Sequence, residues 1–278
     1  MEDHWRRRIY NFDWLGVFRW RAGARVRNNE MNSKGKFKKI FLSGMLLSAS
    51  SWVVAQEQEG ISVGQMNLLL TAGLTWGHDD NVTFSRGGSE VSSDFYVLSP
   101  GIRLEAPTDK SLFSVTWEGE SGRYDDSPID DYDDWSLKGA WDYDPTSRTN
   151  VGLFAEIRED HDRRGEGSLQ GDNALLNISP DEFDLSSIGG YFSYGAVGSR
   201  GRLDVEAAFT DRDYTNNQNE TQFLDRSEDN IEATLFVRIR PKTSFLVGVG
   251  QANIDYDRLF TNGTSLDSDE QRIFVGLT

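Results

Sequence analysis

The sequence predicts an all-β fold, an antiparallel transmembrane up-and-down β-barrel of the outer-membrane type. Three observations carry that expectation. Apolar and polar residues alternate with period two through about ten segments. The connections between those segments alternate between short and long. Ahead of them stands a basic head followed by an apolar run, the pattern of a secretory signal.

Composition excludes several functions before any motif is read. The 278 residues carry 29 Lys+Arg against 45 Asp+Glu, a formal charge of −16. A nucleic-acid partner is excluded on that balance, because phosphate recognition needs basic residues to displace counterions. With no cysteine, there are no disulfides, thiol nucleophiles or thiolate metal sites. Aromatics make up 12%, too many for a disordered acidic chain. The charge is also unevenly placed: residues 1–55 hold eleven of the basic and four of the acidic residues.

That basic N-terminus reads as an address. Lys34, Lys36, Lys38 and Lys39 precede an apolar run from Ile40 to Ala55, which is shorter than the roughly 20 residues a membrane-crossing helix needs. Residues 31–55 are therefore expected to be a signal peptide, cleaved after Ala55 following Sec export. A short membrane anchor is the alternative. Residues 1–30, rich in Arg and Trp, are expected to be a misassigned N-terminal extension, with Met31 the true start. Residues 56–65 read as a short linker and 66–278 as the barrel.

The strands follow in order. Leu68–Trp76 is strand-like, its faces blurred by glycine, and Tyr96, Leu98, Ile102 and Leu104 form the next apolar face. Phe113, Val115 and Trp117 then oppose Ser114, Thr116, Glu118 and Glu120. Trp135, Leu137, Trp141 and Tyr143 oppose Ser136, Lys138 and Asp142, while Leu153, Ala155 and Ile157 oppose Phe154, Glu156 and Arg158. Leu185–Ala196 is less regular. Leu203, Val205 and Phe209 oppose Asp204 and Glu206, and Ile231, Leu235 and Ile239 oppose Glu232, Phe236 and Arg238. Phe245–Tyr256 and Ile273–Leu277 complete the series.

Alternation alone suits a soluble sandwich as well as a barrel. Length and loop asymmetry separate the two. The segments approach the 9–11 residues of a membrane strand, longer than the five or six usual in globular sheets. Compact turns at 106–111, 144–148, 197–201 and 240–244 alternate with long polar stretches at 77–93, 123–134, 159–184, 211–229 and 257–271. Tyr96, Trp117, Trp135, Trp141 and Tyr143 are the candidate interface aromatics, since amphipathic rings favour the lipid–water boundary. A charged side chain facing lipid at the midplane costs about 2–4 kcal/mol for Lys or Arg and less for Asp or Glu. Glu118, Glu120, Lys138, Glu156, Arg158, Asp204, Glu206, Glu232 and Arg238 are therefore expected to line a hydrated lumen.

With strands and turns placed, the sequence resembles the putative β-barrel porin 2 family of outer-membrane proteins. The resemblance rests on Gly77-His-Asp-Asp-Asn-Val82, Leu98-Ser-Pro-Gly-Ile-Arg-Leu-Glu105, Glu118-Gly-Glu-Ser-Gly-Arg-Tyr124 and Asp144-Pro-Thr-Ser-Arg148, and spans roughly Leu69 to the end. It implies a non-enzymatic, porin-like conduit assisting export of exopolysaccharide or capsular polysaccharide. The implied partners are outer-membrane lipid and lipopolysaccharide, the polysaccharide itself and export-machinery proteins. The series breaks off within a strand pattern at Ile273–Thr278, so the barrel is expected to be incomplete at its C-terminus. A small-solute diffusion porin or structural barrel is the first alternative, and a secreted carbohydrate-binding β-sandwich the second.

No residue pattern calls for catalysis, a cofactor or a metal. His78 and His161 fall in separate predicted loops without metal-pair spacing, and no Gly-x-Ser-x-Gly elbow occurs. Asp160-His161-Asp162 could orient a base, but beside Arg163 and Arg164 it reads as a solvated charge cluster. The six aspartates between Tyr124 and Asp134 read as a hydrated loop, with divalent-ion bridging to lipopolysaccharide as the sharper alternative.

Overall fold

The computed structural model describes residues 60–196, 199–260 and 262–278. The expected N-terminal extension and signal peptide lie outside these residues. One sheet contains every strand: β1 (Ile61–Val63), β2 (Met66–Asp79), β3 (Ser93–Pro107), β4 (Ser111–Tyr124), β5 (Tyr132–Thr146), β6 (Thr149–Asp162), β7 (Asp181–Tyr194), β8 (Gly201–Tyr214), β9 (Arg226–Arg240), β10 (Thr243–Tyr256) and β11 (Ser268–Leu277). Sheet order equals chain order, and every pairing is antiparallel. The fold is thus the expected up-and-down arrangement, with eleven strands instead of about ten. The additional strand, β1, occupies part of the stretch read as a linker. Among the described residues the sheet is open: β11 pairs only with β10, and β1 only with β2.

Among the described residues no second layer covers this sheet, because each strand packs against its sequence neighbours. The apolar rows consequently face outward. Across the ladder, Phe113, Trp141, Leu153, Gly190, Ala207 and Ile231 align on one face. Leu74, Trp76, Ile188 and Ile273 on that face are 62–81% exposed. A sandwich would have buried these rows, so the sandwich reading falls. The small buried set lies instead near the long-loop end, where Phe183, Leu185 and Tyr214 form a cluster with Leu224 packed against it.

Most strands run to 14 or 15 residues, well past the predicted segments. At about 3.3 Å per residue and a tilt near 40°, such a strand rises roughly 35 Å, against an apolar band about 25 Å tall. The excess stands at the long-loop end, where the outward positions turn polar: Glu159, Asp184, Asp211, Asp229, Asp255 and Asp269. His78 and His161, expected in loops, sit in these strand ends, because the ladder continues where the alternation stops. In β3, Pro100 lacks an N–H and the β3–β4 pairing skips Ser99 and Pro100.

The long loops interlock. Arg164 donates from Nε and Nη2 to Asp130 at 2.7 and 2.6 Å, with both side chains about 95% buried. The Arg86 amide donates to Asp172. A Cβ on Gly165, whose φ is +95°, would collide with the Thr83 carbonyl. Asn217 and Asn177 donate to buried Asp181, and Phe223 stacks on Phe260 at 5.3 Å. The 163–180 loop thereby touches the loops after β2, β4 and β8.

Candidate functional site

The pleat fixes which side chains can meet. Because side chains alternate, each hydrogen-bonded row belongs wholly to one face. Glu118 pairs in register with Ser136, and Ser136 with Arg158. Lys138 pairs with Glu156. Tyr191, Glu206 and Glu232 form another row, as do Ser193, Asp204 and Thr234. Glu120 lies opposite Asp134 and Arg238 opposite Ser244. All nine charged residues singled out in the sequence share this polar face. Tyr96, Trp117, Trp135, Trp141 and Tyr143 fall on the opposite, apolar face. Trp141 stacks against Tyr143 at 5.5 Å and Phe113 at 6.2 Å.

The charged residues are largely knit together. Lys138 stands 3.6 Å from Glu156, Arg158 stands 3.9 Å from Glu156, and Arg158 Nη1 donates to Asp160 at 3.1 Å. Arg202 reaches Asp204 at 2.6 Å. Tyr132 donates its hydroxyl to Glu120 at 2.6 Å, and Tyr191 donates to Asp142. Arg238 Nε donates to the Ser199 carbonyl at 3.2 Å. Glu206 and Glu232 face each other as like charges, and their row continues through Gly250 to Arg272.

Rings lie beneath the cations. Lys138 lies 5.1 Å from the Phe154 centroid, Arg202 5.7 Å from Phe236, Arg212 4.2 Å from Phe183 and Arg226 5.7 Å from Tyr256. These four pairs occupy the polar face, each between adjacent strands. Only Phe154 and Phe236 were evident in the sequence. Phe183 and Leu185 face the polar side, whereas Ile188 and Phe192 face the apolar side. The apolar phase of β7 therefore switches between Leu185 and Ile188.

One end of the polar face is roofed. Arg163 Nη2 approaches the hydroxyl of Tyr124 at 3.4 Å, and Tyr214 donates to Asp162 at 2.6 Å. The chain leaving β6 thus leans over the polar side. The aspartate-rich stretch is not simply a hydrated loop: Asp130 is buried on Arg164, Asp131 accepts the Tyr124 amide, Asp133 holds Arg123 at 2.7 Å and Asp134 meets His161. Asp125 and Asp126 fit the solvated reading as exposed loop residues, and Asp133 stays exposed while it holds Arg123. In the outer loops, the Ser265 hydroxyl and the Tyr256 amide hold Asp267 below the usual carboxylate range. Backbone amides, including that of Gly88, do the same for Glu90.

A cleft of about 600 Å³ opens at the long-loop end of β4–β7. His161 and Asp134 lie in it, so Asp160-His161-Asp162 is a partly buried strand end rather than a solvated cluster.

Residues 55–278 match the family model described as Putative beta-barrel porin 2. No curated protein matches. Three solved chains match. One is described as "Copper transporter OprC", 12% identical to this chain with a TM-score of 0.42, covering 77% of this chain and 38% of that one. The chain spans less than two fifths of that protein's length.

Proposed function

The chain belongs to the Putative beta-barrel porin 2 family, a porin-like barrel protein of the outer membrane, and from that premise we propose that it is a non-catalytic conduit assisting exopolysaccharide or capsular polysaccharide export. The supporting observation is the polar face, where carboxylates, arginines and rings alternate across adjacent strands. Sugars present hydroxyl edges and apolar faces. A wall that offers carboxylates and guanidinium groups to the edges and rings to the faces suits a sliding polymer. Glu118, Glu120, Lys138, Glu156, Arg158, Asp204, Glu206, Glu232 and Arg238 are the lumen residues of this reading. Deleting the gene should reduce surface polysaccharide without loss of intracellular polymer. Unchanged surface polysaccharide would refute export.

A second reading, passage of small solutes, is favoured by the Lys138–Glu156–Arg158–Asp160 chain, whose members already satisfy one another. Under either reading, Glu118→Ala should lower cation preference in single-channel recordings, because lumen charges set selectivity. Unaltered currents would make Glu118 scaffolding.

A further inference from the structure

Strands β5 and β6 separate before their neighbours do. Their ladder ends at Trp135 and Glu159, whereas β4–β5 pairing runs to Tyr132 and β6–β7 pairing to Asp162. The cleft lies in this seam. His161 occupies it with its side chain 91% buried and its ring centroid 4.1 Å from that of Tyr132. Its Nδ1 stands 3.0 Å from both carboxylate oxygens of Asp134. One ligand atom from each of Asp134, Asp160 and His161 falls within 4.8 Å of the others. Arg158 and the His161 amide hold the Asp160 carboxylate from behind at 3.1 and 2.8 Å.

We infer that Asp134, Asp160 and His161 form a binding site for one divalent first-row transition cation, entered from the cleft. Neighbouring ligands on one ion, at bonds of about 2.0–2.1 Å, stand about 3 Å apart. The Asp134–His161 separation already has that value, so only Asp160 must close in. Two carboxylates and a neutral imidazole balance a double positive charge. The buried imidazole selects nitrogen-accepting metals over calcium or magnesium, which take oxygen ligands. Three protein ligands leave room for water from the cleft. Arg158 fixes the carboxylate orientation, as outer contacts do at built metal sites. The cleft wall adds Asp131, Asp133, Glu159, Glu182 and Asp184 against Arg123, a field that concentrates cations. This site stands independently of any transported polymer.

The test is calorimetric titration of the full chain, folded in detergent micelles, with Zn²⁺ in the presence of excess Mg²⁺. One Zn²⁺ per chain is expected, retained by His78→Ala and weakened at least tenfold in both His161→Gln and Asp134→Asn. That loss is the low end of the roughly 10–100-fold that even outer-contact changes cause. Heat-modified gel migration checks that each variant is folded, and Asp160→Asn serves if either fails. Equal Zn²⁺ affinity in wild type and a folded ligand variant, or full displacement by Mg²⁺, would overturn the site.

Discussion

Arg164 is the residue on which the loop surface most depends. Its guanidinium is buried against Asp130 and Ser127, and removing one member of such a pair leaves the other charge stranded. Arg164→Ala should cost about 3–5 kcal/mol locally, read as protease cleavage within 163–180 while the strands stay intact. Unchanged protection would show that other loop contacts suffice. Asp267 and Glu90 behave differently, being exposed and held in ionised form by local donors. Their folded pKa lies below the unfolded one, so their contribution is complete above the unfolded pKa and is lost as pH falls through the folded one. Hydrogen exchange at the Tyr256 and Gly88 amides should therefore quicken as pH drops below about 4, once corrected for intrinsic rates. Corrected rates that do not rise would refute this linkage.

At the scale of the strand, each β element has a banded lower part and a polar upper part. In β9, Ile231, Ala233, Leu235, Val237 and Ile239 face outward, and Asp229 and Ser227 continue the same face above them. Leu235→Arg, at the middle of the band, should destabilise the folded barrel by about 2–4 kcal/mol, while Asp229→Arg should cost about 0–1. Denaturant titration in lipid checks the difference, and equal costs would place both positions at the same depth. The same banding explains what the sequence revealed. Period two was legible wherever outward residues were apolar, as at Phe113–Trp117 and Ile231–Ile239. Above the band β2 and β6 are polar on both faces, so the strand ends carrying His78 and His161 read as loops although their hydrogen bonding continues. The phase switch in β7 was visible as Leu185 followed by Ile188, yet two glycines beside it hid its meaning.

For the whole molecule, pairing between distant residues separates what sequence can and cannot reveal. Nine charged residues on one face followed from local alternation alone. The Arg164–Asp130 pair and the Asp134–His161 pair did not, because they span 34 and 27 positions and depend on the loops and on the register of the sheet. The central claim is that the exposed apolar face meets hydrocarbon while the charged face meets water. Spin labels placed singly at Leu153, Phe154, Ala155, Glu156 and Ile157 in the lipid-reconstituted protein test it most directly. Collision with oxygen should peak at 153, 155 and 157, and collision with a water-soluble nickel complex at 154 and 156. Uniform accessibility along the strand, or the opposite phase, would contradict the account.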